Sequence, residues 1–246
     1  MKSPVFHKPY LLLELAPDRR KRKRQLGRIV TDVPLRSEGR SSDHTEIYSI
    51  IWMLRTDCPE QMQPIKVVHS DRPDIQLQCA NLTIGIEITE AVSSNNASMD
   101  RLRETEPHLW RTPDDDIAIF FPRRAGVGED KLTAKAQRQL IRDNQPGEPW
   151  CGNGAESWAE AMAYFVSKKI KKADGYARFD QNWLLIYDNW NEPSRRVELA
   201  DAVLDRIFQS EGVFNTFDRV MIQDGHSLAS FCASGIRRQR RPRHGR

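Results

Sequence analysis

The sequence predicts an α/β fold in which a mixed central sheet is flanked by helices on both faces, with basic disordered arms at its ends. Three observations carry this expectation. Residues 74–90 (DIQLQCANLTIGIEITE) alternate apolar and polar side chains on either side of a short turn, the pattern of a β-hairpin. Residues 183–187 (WLLIY) are almost wholly apolar, as in a strand covered on both faces. Helical periodicities at 43–56, 155–172 and 195–210 interleave with the strands, an order that argues for layered α/β packing.

The chain has 246 residues and a formal charge of +4, but the charge is segregated. Residues 19–28 (RRKRKRQLGR) hold seven basic residues and no acid, and residues 237–246 (RRQRRPRHGR) hold six and no acid, leaving 25 basic against 34 acidic residues elsewhere. An acidic body with two basic arms suits a metal site combined with attraction to a polyanion; solubilising tails are the plainer reading of such runs. The expected organisation is an irregular basic arm over 1–42, one domain over 43–235 with a surface excursion at about 122–155, and a basic tail over 236–246. The four cysteines (Cys58, Cys79, Cys151, Cys232) form no CxxC pair and have no histidine at zinc spacing. No segment resembles a signal peptide or approaches the ~20 apolar residues of a membrane span, so a cytoplasmic protein is expected.

Taken in order, Asp43 opens a helix to about Thr56. Ile47, Ile50, Ile51 and Leu54 form its apolar stripe, and Glu46 stands at capping-box spacing from Asp43. Glu46 has a second reading, as an extra acidic ligand. Ile65–His69 is a short strand that leads into the hairpin. Residues 97–106 read as helix, Ile117–Phe121 as a strand or buried run, and 130–143 as a short helix. GVG at 126–128 lacks the strand–helix context of a phosphate loop, and no GxSxG elbow supports a serine hydrolase. In the helix from Ala155 to about Lys172, Trp158, Met162, Phe165 and Val166 share one face, and Lys168, Lys169, Lys171 and Lys172 crowd its end, where they also complement the helix dipole. Ser194 caps a helix over about 195–210 with Val197, Val203, Leu204 and Ile207 inward, and Arg219–Ile222 is the last strand.

The hairpin carries the chemistry. A turn centred on Ala80-Asn81 places Asp74 directly opposite Glu87, with Cβ atoms about 5 Å apart. Two facing carboxylates repel unless a cation lies between them. A three-residue loop would shift the register by one and separate the two acids onto opposite faces. Glu87 also stands among apolar and small neighbours, and a charge in a covered strand needs a partner. Gln76 and Gln78 share the polar face.

Arg72-Pro73-Asp74 followed by Glu87-Ile88-Thr89 on an apolar strand (IGIEITEA) resembles the PD-(D/E)XK nuclease superfamily, whose fold is restriction-endonuclease-like. The resemblance spans roughly residues 43–223 in element order, but about twenty residues carry the motif. It implies that Asp74, Glu87 and the Ile88 carbonyl bind magnesium or manganese. The sequence departs from the family where its lysine belongs, since position 89 is threonine. Thr89 can hydrogen-bond a water but cannot stabilise an anionic transition state as lysine does. Either a lysine from the 168–172 cluster has taken over, Lys169 first and Lys172 second, or hydrolysis has been lost. The expected partner is nucleic acid, with DNA the expected form. The alternatives are a non-catalytic nucleic-acid-binding protein on the same fold and a scaffold whose tails bind a protein. The resemblance also extends the family's frequent homodimer to this chain, although no dimer seam is visible.

Overall fold

The computed structural model describes residues 7–31, 33–34, 38–58, 65–109, 125, 131–142, 153–173, 179–190, 192 and 195–241. Its strands are β1 (Tyr10–Leu15), β2 (Ile65–His69), β3 (Ile75–Gln78), β4 (Thr83–Ala91), β5 (Gln181–Asp188), β6 (Arg219–Gln223), β7 (Ser227–Cys232) and β8 (Gly235–Arg240). Its α-helices are α1 (Arg19–Arg28), α2 (Ser42–Thr56), α3 (Ser94–Thr105), α4 (Ala134–Arg142), α5 (Gly154–Ile170) and α6 (Val197–Ser210). The eight strands lie side by side in chain order. β4, β5 and β6 run parallel, and every other neighbouring pair is antiparallel. The expected mixed sheet with helices on both faces is what the chain forms.

Strand parity divides the core into two layers. Ile84, Ile86 and Ile88 of β4 join Trp183 and Leu185 of β5 against Ile50, Ile51 and Leu54 of α2, with Leu26 of α1. Ala91, Leu184, Ile186, Val220 and Ile222 face the other way, onto Trp158, Met162 and Val166 of α5 and Leu204 and Phe208 of α6. The β4→β5 and β5→β6 crossovers step across the sheet in the same direction, so right-handed connections place α5 and α6 on one face. That leaves the opposite face to α1 and α2. Met99 and Leu102 of α3 pack with Ile141 of α4 in a small separate cluster.

Several expectations change. The first 42 residues contain β1, paired with β2 from Tyr10↔His69 to Leu15↔Ile65, and the basic run is α1. Leu26 and the inward-turned Arg22 anchor α1, the latter donating to the carbonyls of Ala16 and Pro17. The sheet does not end at β6, because β7 and β8 extend it and residues 236–240 of the expected tail belong to β8. Ser41, not Asp43, caps α2, and its partner is His44: the Ser41 amide donates to His44 Nδ1 at 3.1 Å. Glu46 is therefore not the capping-box residue and faces inward. α6 begins after Arg196. Ser194, the 117–121 run, GVG at 126–128 and most of the 122–155 excursion lie outside the described residues. Among the described residues no helix is long and apolar enough to cross a membrane.

Gly85 lies in β4 where the hairpin meets its neighbours. A Cβ there would stand 2.7 Å from Phe179 Cδ2 and 3.0 Å from Pro73 Cγ. Gly85→Ala is expected to destabilise the chain by about 1–3 kcal/mol, the usual range for overpacking. The urea midpoint should fall while the slope of the transition stays constant.

Candidate active site

The β3–β4 hairpin forms in the register that a turn at Ala80-Asn81 requires. Ile75 pairs with Ile86, Leu77 with Ile84 and Gln78 with Thr83, and the Cys79 amide donates to the Leu82 carbonyl at 2.9 Å. One further step along the register sets Asp74 opposite Glu87. Asp74 Oδ2 accepts the Ile88 amide at 2.7 Å. Because the N–H and C=O of a strand residue point the same way, the Ile88 carbonyl also faces the β3 side. That carbonyl is an acceptor oxygen on the edge of β4 where Asp74 binds the amide.

Odd-numbered residues of β4 face α5. Glu87 is buried on that side, and its Oε2 accepts from Lys169 Nζ at 3.0 Å. Lys169 is turned inward because it follows the fully buried Val166 by three residues on α5. Thr89 shares the face and is half-buried. Lys172 lies past the end of α5 and is exposed, so it does not join the group. Gln76 donates to Ser70 Oγ at 3.3 Å beside the site, whereas Gln78 is exposed. Asp188 and Glu90 belong elsewhere: Asp188 accepts from Trp158 Nε1 at 2.8 Å and from Arg195, and Glu90 accepts from Asn189 at 2.9 Å.

A second polar group sits beneath α2. Glu46 Oε2 lies 2.7 Å from His69 Nε2, and His69 Nδ1 lies 2.7 Å from the Tyr10 hydroxyl. Glu46 as a carboxylate can only accept, which places the imidazole proton on Nε2 and lets Nδ1 accept from Tyr10. Lys8 Nζ stands 2.9 Å from Asp43 and 3.3 Å from Glu46. Ligand atoms of Asp43, Glu46 and His69 all lie within 4.8 Å of one another, close enough that one ion could touch all three. The sequence alone points only to Glu46 here. His69 has the inward parity of Ile65 and Val67, which signals a buried imidazole but not its partners.

The two groups differ in charge balance. Burial raises the Glu46 and Asp43 carboxyls, but hydrogen bonds and charges from His69 and Lys8 outweigh it and hold both below the ordinary range. Their negative charge is already compensated by Lys8, and both His69 nitrogens are engaged. Asp74 is the opposite case. Burial, then the neighbouring Glu87 charge, push its pKa up to about 6, against the opposing Ile88 amide. The carboxylate that lacks compensation is Asp74, so a further cation is favoured between Asp74 and Glu87 rather than beside Lys8. Two carboxylates and a carbonyl are the hard oxygen donors that magnesium or manganese takes.

This imbalance has a measurable sign. Folded Asp74 keeps its proton to about pH 6, whereas the unfolded chain releases it near pH 4. The folded state binds more protons across that window, so this contribution to stability is complete below about pH 4 and lost as pH rises through 6. In EDTA, Asp74→Asn should remove a decline of about 2–3 kcal/mol between pH 4 and 7, read from urea midpoints of the two proteins. Equal pH profiles would show that Asp74 is not strained by Glu87.

No protein-family model, curated protein or solved structure matches this chain.

Proposed function

We propose that the chain is a metal-dependent endonuclease that hydrolyses phosphodiester bonds in DNA. The convergence of Asp74 at the start of β3, Glu87 of β4 and Lys169 of α5 carries the reading, with burial and the Glu87 charge holding Asp74 protonated to about pH 6. Asp74, Glu87 and the Ile88 carbonyl would hold magnesium or manganese, and Glu46, whose charge Asp74 also senses, is a further acid. When bound, the metal would neutralise phosphate charge and lower the pKa of a water. Glu87 positions the Lys169 ammonium beside the carboxylates, where it can pair with a phosphate oxygen and offset charge that develops there. This is the role that Thr89 lacks, and it agrees with the PD-(D/E)XK resemblance with a lysine relocated to a helix. Among the described residues Cys58, Cys79 and Cys232 form no disulfide, which suits a reducing, cytoplasmic compartment.

Thr89 favours a second reading, a non-catalytic nucleic-acid-binding protein on the same fold. Supercoiled plasmid incubated with the purified chain and magnesium or manganese separates the two. Nicking that EDTA abolishes supports the nuclease. Cleavage that survives in Glu87→Ala excludes this site, and binding without cleavage supports the second reading.

A further inference from the structure

The two basic runs lie at opposite ends of the sequence, yet the fold brings them together at the C-terminal end of α2. The Arg55 guanidinium of α2 donates to the Leu26 carbonyl at 2.9 and 2.7 Å and to the Ile29 carbonyl, which ties down the end of α1. From the other side the Arg241 guanidinium lies over the Trp52 ring, 5.8 Å from its centre, and Gln239 approaches Asp57 at 3.3 Å. Burial, then the charge of Arg241, hold the Arg55 pKa below its ordinary value, so the two cations sense each other.

We propose that α1, the end of α2, Arg237 of β8 and Arg241 just past it form one composite surface that binds the phosphate backbone of duplex DNA. Arg20, Lys21, Lys23, Arg24 and Arg28 of α1 are exposed, as is Arg237. Strand parity sends Arg237 and Arg241 to the α2 side, whereas Arg238 points to α6. The arrangement is unfavourable for α1 alone. Arg20 and Lys21 sit in a first turn that has no acid, at the positive end of the helix dipole. Arg20 and Arg24, and Arg24 and Arg28, are like charges four residues apart. A polyanion relieves all of these repulsions at once. An anionic membrane fits less well, because Leu26 is spent in the core and α1 keeps no apolar face for a bilayer. Val30 and Ile236 are exposed singly and form no stripe. Arg55 lies nine residues beyond Glu46, about 14 Å along α2, so the surface would hold phosphates away from the carboxylates.

The proposal rests on the reading that the partner is DNA and is independent of catalysis, because the test is run in EDTA. Anisotropy of a fluorescein-labelled 25-base-pair duplex is titrated with the full chain between 50 and 300 mM KCl. Arg20→Gln/Arg24→Gln and Arg237→Gln/Arg241→Gln should each bind at least tenfold more weakly at 100 mM. The salt slope should fall by roughly 0.9 for each phosphate that a variant no longer neutralises. Arg196→Gln/Arg206→Gln, at the N-cap and within α6 across the sheet, should match wild type, and circular dichroism should show every variant folded. Wild-type affinity in both test variants overturns the proposal, as does an equal loss in the α6 control. Vesicles of phosphatidylserine that bind the chain and are not displaced by duplex would assign the surface to a membrane and overturn it too. A chain that binds duplex here but never cleaves it would sink only the nuclease reading.

Discussion

Glu87→Gln is expected to slow plasmid cleavage on the order of 10³-fold while leaving the fold intact, the scale seen when one preorganised electrostatic partner is removed from an active site. The substitution keeps shape and an acceptor for Lys169, whose ammonium lies 3.0 Å from Oε2. It removes one of the two facing charges, so the Asp74 carboxyl should titrate below its present value of about 6. A damaged fold would lose activity and stability together. The site predicts that they separate: in EDTA at pH 8 the variant should melt at or above the wild-type temperature, because a buried like-charge contact has gone. Agarose-gel nicking rates and thermal melts of the two proteins check this. Lower stability in step with lost activity would mean that Glu87 is only a structural partner of Lys169.

How much of this is legible in the sequence depends on the range of the interaction. Local periodicity suffices for the hairpin: period two sets the faces of Asp74 and Glu87, and the two-residue turn sets their register. The 3.6-residue period turns Lys169 inward, but it gives no sign that α5 ends at Ile170 and so leaves Lys172 outside. The Tyr10–His69–Glu46–Lys8 group is not legible, because it joins β1, β2 and α2 across the sheet, and neither period encodes partners on another element. Asp43 and Glu46 have capping-box spacing, but so do Ser41 and His44, and spacing alone cannot choose between overlapping pairs. The basic runs read as arms because like charges in series usually stay solvated; one buried Leu26 and the Arg55 clamp on its carbonyl are enough to fix α1. β7 has a local signal in Gly225, the first of the two central residues (Gly225-His226) of a hairpin turn, where it takes φ 81° and the Asp224 amide donates to the Ser227 carbonyl at 3.1 Å. β8 holds a single large apolar residue, Ile236, and only β7 makes it a strand.

Arg238→Ala should be among the most destabilising single changes in the chain, although its position lies in a run that reads as a solvated tail. Its guanidinium grips both oxygens of Asp201 at 2.7 and 2.6 Å, reaches Asp224 at 2.9 Å and donates to Ser227 Oγ. Asp224 also pairs with Arg195 at 2.7 Å, and Arg195 with Asp188 at 2.6 Å while lying over the Trp158 ring. Three carboxylates thus share two guanidinium groups. Removing Arg238 leaves Asp201, whose side chain is 8% exposed, without its partner. Breaking a buried pair from one side costs about 3–5 kcal/mol; the lower end applies because Arg238 keeps 20% of its side-chain exposure. About 3 kcal/mol lowers the melting temperature of a chain this size by roughly 6–12 °C. Arg238→Lys should recover only part of the loss, because an ammonium cannot fork onto both Asp201 oxygens. The Arg237→Gln/Arg241→Gln protein should melt close to wild type, since those side chains leave β8 by its other face. Urea and thermal melts of the three proteins decide it, and a loss under about 1 kcal/mol in Arg238→Ala would return the C-terminal arginines to solvent. If the expected contrast holds, β8 divides its arginines by parity, with Arg238 holding α6 and the adjacent odd positions free to meet an anion.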